Sequence, residues 1–209
     1  MTGDEPGDSV WLNWARKLDA MSRIGTTFAE SPYEARRYAE LAAISRAMLA
    51  ELAARPEVEL PDLYLPSEGY VTPKVDVRAA VFDDTGRVLL VREVADGRWS
   101  LPGGWADVGD APSASAAREV LEESGYSCRL TRLVGVFDAH DRGSPFSAYK
   151  VVFLGELTGG EAGGDHETDG VGFFSATDIP PLSHRRTPHH VLETVFAHYA
   201  DSSLPAHFD

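Results

Sequence analysis

Residues 101–126, from Leu101 to Tyr126, read LPGGWADVGDAPSASAAREVLEESGY. The stretch opens on Gly103-Gly104, a pair that permits a tight bend and lets a peptide group approach a ligand closely. A helix is predicted over about residues 113–124, and Gly125 supplies the left-handed stop that commonly ends one. On that helix Glu119, Glu122 and Glu123 stand at i, i+3 and i+4 and share a face. Like charges at this spacing repel by roughly 0.2–0.5 kcal/mol per pair even on an exposed helix. Arg118 can pair with Glu122 one turn later, but one guanidinium does not neutralise three carboxylates. The cluster calls for a cation, and donors that are all oxygen suit Mg²⁺ or Mn²⁺ rather than zinc.

Working outward, the period changes to two from Lys74. Val75, Val77, Ala79 and Val81 alternate with Asp76, Arg78 and Ala80 before the turn residues Asp83-Asp84-Thr85-Gly86. This predicts a strand entering a hairpin, with Val88–Val91 as its buried partner. Further strands are expected around residues 129–137, 148–157 and 171–174. A last helix follows Thr187-Pro188, with Val191, Leu192, Val195 and Tyr199 toward a core. Such irregular alternation suits a mixed sheet flanked by helices.

At the other end, residues 1–7 read as a loose terminus. Trp11, Trp14, Leu18, Met21, Ile24 and Phe28 then recur at helical steps, in a helix expected to fray or break around Gly25. Ser31-Pro32-Tyr33-Glu34 has the form of a capping box, and the helix it starts runs through Tyr38, Leu41, Ile44, Met48 and Leu52 to about Ala54. Two helices of this size do not bury a two-tryptophan stripe against each other completely, so it must pack on another subunit, as a dimerisation element, or on the remaining chain, as a cap on its own second domain; the first is the expectation. Pro56, Pro61, Pro66 and Pro73 suit an extended linker. The expected division is therefore residues 1–70, a helical hairpin with its linker, and residues 71–209, a second domain.

Composition narrows the class. The chain has 209 residues, 43% apolar and 25% charged, which suits a globular protein with a packed core. Its 33 acidic against 19 basic side chains give a formal charge of -14, which repels nucleic-acid backbones and anionic membranes. No run of about 18 apolar residues marks a membrane span and no leader-like start is visible, so a cytoplasmic location is expected. The single cysteine, Cys128, cannot form an internal disulfide.

The segment Gly104 to Tyr126 resembles the signature of the Nudix hydrolases, Gly-x5-Glu-x7-Arg-Glu-U-x-Glu-Glu-x-Gly-U, with U a bulky aliphatic residue. Gly104, Arg118, Glu119, Val120, Glu122, Glu123 and Gly125 match in register, while Asp110 replaces the first glutamate and Tyr126 the last aliphatic residue. The resemblance covers residues 74–200 and implies an α/β fold, the Nudix-type α/β/α sandwich with a mixed sheet, here preceded by the N-terminal α-helical hairpin. That hairpin and the run GGWADVGD resemble a subgroup with a helical extension, associated with CDP-choline or ADP-ribose pyrophosphatase activity.

The resemblance implies Mg²⁺, with Mn²⁺ as the alternative, held by Glu119, Glu123, Glu122 and the Gly103 carbonyl. It also implies that Arg118 orients the glutamates and that a later acidic residue serves as base or extra ligand. Among Glu161, Asp165, Glu167 and Asp169, the spacing to Phe173 selects Glu167. Trp105 is open to stacking on a nucleobase or to core filling, and Trp99 is expected to fill the core. Arg92 and Arg98 are candidates for meeting a phosphate. His140, His166, His189 and His190 show no metal spacing. The implied activity is hydrolysis of a nucleoside diphosphate linked to another group, by a homodimer without a nucleic-acid or membrane partner. A nucleoside triphosphate pyrophosphohydrolase and a non-catalytic nucleotide sensor are the alternatives.

Overall fold

The computed structural model describes residues 10–54, 56–59, 71–107, 110–139, 147–164 and 166–209. Most of the proline-rich linker, His140 and Asp165 thus lie outside the described residues. The chain splits into two compact units, the first over 1–73 with 140–147 and the second over 74–139 with 148–209.

In the first unit, α1 (Val10–Thr27) and α2 (Pro32–Ala53) form a helical pair. The Ser31 hydroxyl accepts the Glu34 N–H at 3.2 Å, and the Glu34 carboxylate reaches back to the Glu30 N–H at 2.9 Å. The capping box therefore closes one residue further back than the sequence pattern suggests. Helix α1 does not break at Gly25. A Cβ there would lie 2.2 Å from the Tyr38 ring, so the glycine admits the close approach of α2. The seam between the helices is small and partly polar: Ala15 and Leu49 are buried with Ser22 and Ser45, and the Ser45 hydroxyl donates to the Ala15 carbonyl at 2.7 Å. Trp11, Trp14, Met21 and Phe28 remain exposed, as do Ile44 and Leu52 on α2.

The second unit is built on a mixed sheet. Its strands are β1 (Lys74–Phe82), β2 (Val88–Glu93), β3 (Trp99–Ser100), β4 (Gly103–Trp105), β5 (Tyr126–Asp138), β6 (Ala148–Gly160), β7 (Thr168–Phe174) and β8 (His207–Phe208). The order β3-β2-β1-β6-β5-β8 is extended by β4 beside β1 and β7 beside β2. β1 meets β2 only at Phe82 and Val88, then runs parallel to β6 along its whole length, while β2 pairs with β7. The expected antiparallel neighbour of β1 is therefore present, its pairing short because β4 takes another part of β1.

Helix α3 (Pro112–Ser124) covers one face, where Ala116 and Val120 pack on Val77, Ala79, Val81 and Leu89. Helix α4 (His189–Ala200) covers the other, with Val191, Leu192 and Val195 against Ala80, Phe82, Leu90 and Leu101. This is the α/β/α sandwich expected from the sequence. Burying both faces of β1 changes the reading of its alternation: Asp76 and Arg78 point into the interior rather than into water. Among the described residues no helix is long and apolar enough to cross a membrane.

Candidate functional site

Helix α3 begins with Pro112 in its first turn and ends on Gly125, whose left-handed backbone (φ 73°) directs its N–H to the Leu121 carbonyl at 2.9 Å. Its apolar contacts fix how far each glutamate reaches into the protein. Glu123, beside the buried face, is 4% exposed. The Glu119 side chain is 16% exposed and that of Glu122 49%. The three acids of one face therefore form a gradient from interior to solvent.

Glu123 is held at both ends. Its Oε2 accepts the Gly103 N–H at 2.8 Å, and its backbone carbonyl accepts the Thr168 hydroxyl at 2.8 Å. Burial pushes its carboxyl up to about 8, against the pull of the Arg78 guanidinium and the Gly103 N–H, with Glu93 and Glu119 adding to the rise. Burial likewise raises Glu119, where Arg118 and Arg78 oppose it and Glu122 and Glu167 reinforce it.

Arg118 gathers the solvent side. Its Nη1 donates to Glu122 at 3.0 Å and approaches Glu119 at 3.5 Å, while Nη2 donates to Asp107 at 2.6 Å. Asp110, the residue that replaces a glutamate, stays 3.7 Å from the same nitrogen. The shorter side chain keeps its ion pair, and Asp107 takes the stronger hydrogen bond. Sequence reasoning passed over Asp107; its place between the glycine bend and α3 was the available signal.

The bend sits directly against these acids. A Cβ on Gly104 would be 3.4 Å from the Glu119 carboxylate. At Gly103 (φ 143°) a Cβ would be 2.0 Å from the Val77 carbonyl, so only glycine fits. Oxygen donors with an acid surplus fit a hard divalent cation. As placed, no three acidic, histidine or cysteine side chains among the described residues close into a cage. Arg118 and the Gly103 N–H hold the glutamates instead.

The remaining candidates are spread more widely. Glu167 precedes β7; its carbonyl accepts the Val94 N–H at 2.9 Å and its exposed carboxylate lies 3.8 Å from His166, near enough to Glu119 to raise that acid's pKa. Arg92 pairs with Asp169 at 2.7 Å across β2 and β7. Arg98 lies in the exposed turn before β3, where its N–H donates to Asp96 at 3.0 Å. Trp105 is half exposed with the Lys74 ammonium 5.1 Å from its ring centroid. Trp99 packs edge-on against Phe174 with centroids 4.8 Å apart, on the core side.

Comparison with known proteins meets this geometry from the other direction. The NUDIX domain profile matches residues 72–195, so the chain belongs to the Nudix family and is a hydrolase of the pyrophosphatase kind. A second profile, described as a UDP-X-like, N-terminal oligomerisation domain, matches residues 9–64. The Bacillus subtilis (strain 168) protein named "Putative ADP-ribose pyrophosphatase YjhB" is 36% identical over 189 residues, covering 89% of this chain and 90% of that one. Among solved structures, an ADP-ribose pyrophosphatase from Streptococcus suis is 38% identical with a TM-score of 0.60, covering 66% of this chain and 100% of that one. A UDP-X diphosphatase is 28% identical with a TM-score of 0.59, covering 93% of this chain and 96% of that one.

Proposed function

We propose that this chain hydrolyses the diphosphate bridge of a nucleoside diphosphate linked to another moiety, ADP-ribose- or CDP-choline-like, with Mg²⁺ or Mn²⁺. The products are a nucleoside monophosphate and a phosphorylated remainder. The observation that carries this reading is the acid gradient of α3 pressed against a bend in which only glycine fits. The likeness to ADP-ribose pyrophosphatases and to a UDP-X diphosphatase supports the substrate class and adds UDP-linked compounds to it.

A bound divalent cation supplies charge neutralisation at the diphosphate and activation of water. Glu119, Glu122, Glu123 and the Gly103 carbonyl are the residues that would hold it. Arg118 keeps Glu119 and Glu122 side by side through charge-assisted contacts. Glu167, at the solvent side of Glu119, takes the proton of the attacking water at its carboxylate. Trp105 offers a ring face to the base. Arg98 meets a phosphate, and Arg92 does so by exchanging Asp169 for it.

The deciding experiment is a panel of ADP-ribose, CDP-choline, UDP-linked sugars and nucleoside triphosphates with Mg²⁺, with products identified by mass. Two monophosphates from a diphosphate substrate are expected. Pyrophosphate release from triphosphates alone would replace this reading with the triphosphatase, and tight binding without cleavage would replace it with the sensor.

The hairpin belongs to a homodimer in this proposal, and the chain works in the cytoplasm. Trp11 and Trp14, edge to face at 5.1 Å, share an exposed surface with Met21, Ile44 and Leu52 that a second copy would cover. Sedimentation of Trp11→Ser/Trp14→Ser should show monomers where the parent shows dimers; an unchanged mass removes this surface from the interface.

A further inference from the structure

On β1, Asp76 and Arg78 lie on the face that Ala80 and Phe82 continue into the α4-side core. They are 7% and 5% exposed, and Lys150, in register with Asp76 on β6, is 2% exposed. Buried ion pairs of this sort are weak evidence for stability, since apolar residues of similar shape often do as well. What the three residues touch suggests another use. Arg78 Nε donates to Asp76 Oδ1 at 2.8 Å, Lys150 binds the other Asp76 oxygen, and Arg78 Nη1 donates to the Leu101 carbonyl at 3.0 Å.

Leu101 leads straight into the glycine bend. Gly103 is the cross-strand partner of Arg78, and the Ala79 N–H holds the Pro102 carbonyl at 3.0 Å. A Cβ on Gly103 would also meet Arg78 Cδ at 2.9 Å, so the arginine stem walls the bend while its guanidinium ties down the residue before it. Its charge acts on Glu123 and Glu119 from the opposite side to Arg118.

We propose that Arg78, locked by Asp76 and Lys150, is a positioning residue that holds the Leu101–Gly103 bend so that its peptide groups face Glu123 and the cation. The inference rests on the function proposed above. Lysine does not replace the arginine, because one ammonium cannot span Asp76 and the Leu101 carbonyl as a rigid fork does.

The test uses Arg78→Lys and Arg78→Met in the full chain, reading Mn²⁺ affinity by electron paramagnetic resonance, kcat and KM separately, and thermal unfolding. Losses of about 10- to 100-fold are expected in Mn²⁺ affinity and in kcat, with KM little changed, the scale seen when partners that orient metal ligands are removed. A residue that only supports the fold would lower the unfolding temperature and leave kcat and Mn²⁺ affinity of the folded protein at parental values; that result overturns the proposal. Should Arg78→Met not fold, Asp76→Asn keeps the arginine but releases its anchor, and should give a smaller loss in the same direction; parental values overturn the proposal equally. A parent chain that binds no Mn²⁺ and cleaves no diphosphate overturns the function and this inference together. An active parent with unaffected variants overturns this inference alone.

Discussion

Two charged clusters lie on either side of the glycine bend, and they are built on opposite rules. Behind the bend, Asp76 is matched by Arg78 and Lys150, and Glu93 by Arg186 at 3.1 Å and the Ser100 hydroxyl at 2.5 Å. In front of it, Glu119, Glu122, Asp107 and Asp110 share Arg118, while Arg78 reaches Glu123 and Glu119 from behind. A cluster in which every acid has a cation of its own holds its shape unaided. One with surplus acid is complete only when something positive arrives from outside.

The sharpest way to break this contrast is Glu123→Gln, which removes charge at the bend but keeps the shape. It should lower kcat by about 10²-fold or more, the scale for losing one electrostatic contributor at a transition state. Near-parental turnover would strip the front cluster of its chemical role.

The same residue gives a pH signature in the metal-free protein. A carboxyl raised in the folded state holds its proton more tightly there than in the unfolded chain, so stability is greatest below the unfolded value and declines as pH rises toward about 8. The slope approaches about 1.4 kcal/mol per pH unit across that window. Denaturant unfolding from pH 5 to 8 should show the decline, and Glu123→Gln should flatten it; parallel curves for the two proteins would refute the assignment.

Arg118→Lys tests the cation on the solvent side of the front cluster. Losing the fork that spans Glu122 and Asp107 should weaken apparent Mg²⁺ affinity about tenfold, read from the Mg²⁺ dependence of turnover. The smallest effects fall on the two aspartates. Exposed pairs are worth about 0.2–1 kcal/mol, so Asp107→Asn should cost no more than about fivefold in that affinity. Asp110→Glu should cost nothing measurable, and a larger loss at Asp110 than at Asp107 would reverse their assigned roles.

The front cluster was legible because helical spacing alone puts Glu119, Glu122 and Glu123 on one face. Spacing did not reveal their burial gradient, which depends on how Ala116 and Val120 dock on the sheet. The rear cluster was not legible for a related reason. Asp76 and Arg78 alternate with valines, the pattern of a half-solvated strand, and only the apolar Ala80 and Phe82 on the same face hinted that water was excluded. Turn residues between β1 and β2 marked their antiparallel pairing correctly, whereas the parallel pairing of β1 with β6 joins residues far apart in sequence and leaves no local signal. At Gly25 a helix-weakening residue was read as a break, where the Tyr38 ring explains it instead.

Trp105 adjoins Gly104, whose backbone rests against Glu119, and its indole is half exposed under the Lys74 ammonium. The molecule thus carries a native fluorophore beside the acids, while Trp99 sits packed against Phe174. Ligand titrations can be followed by emission from unlabelled protein, with Trp105→Phe as the blank that isolates the signal.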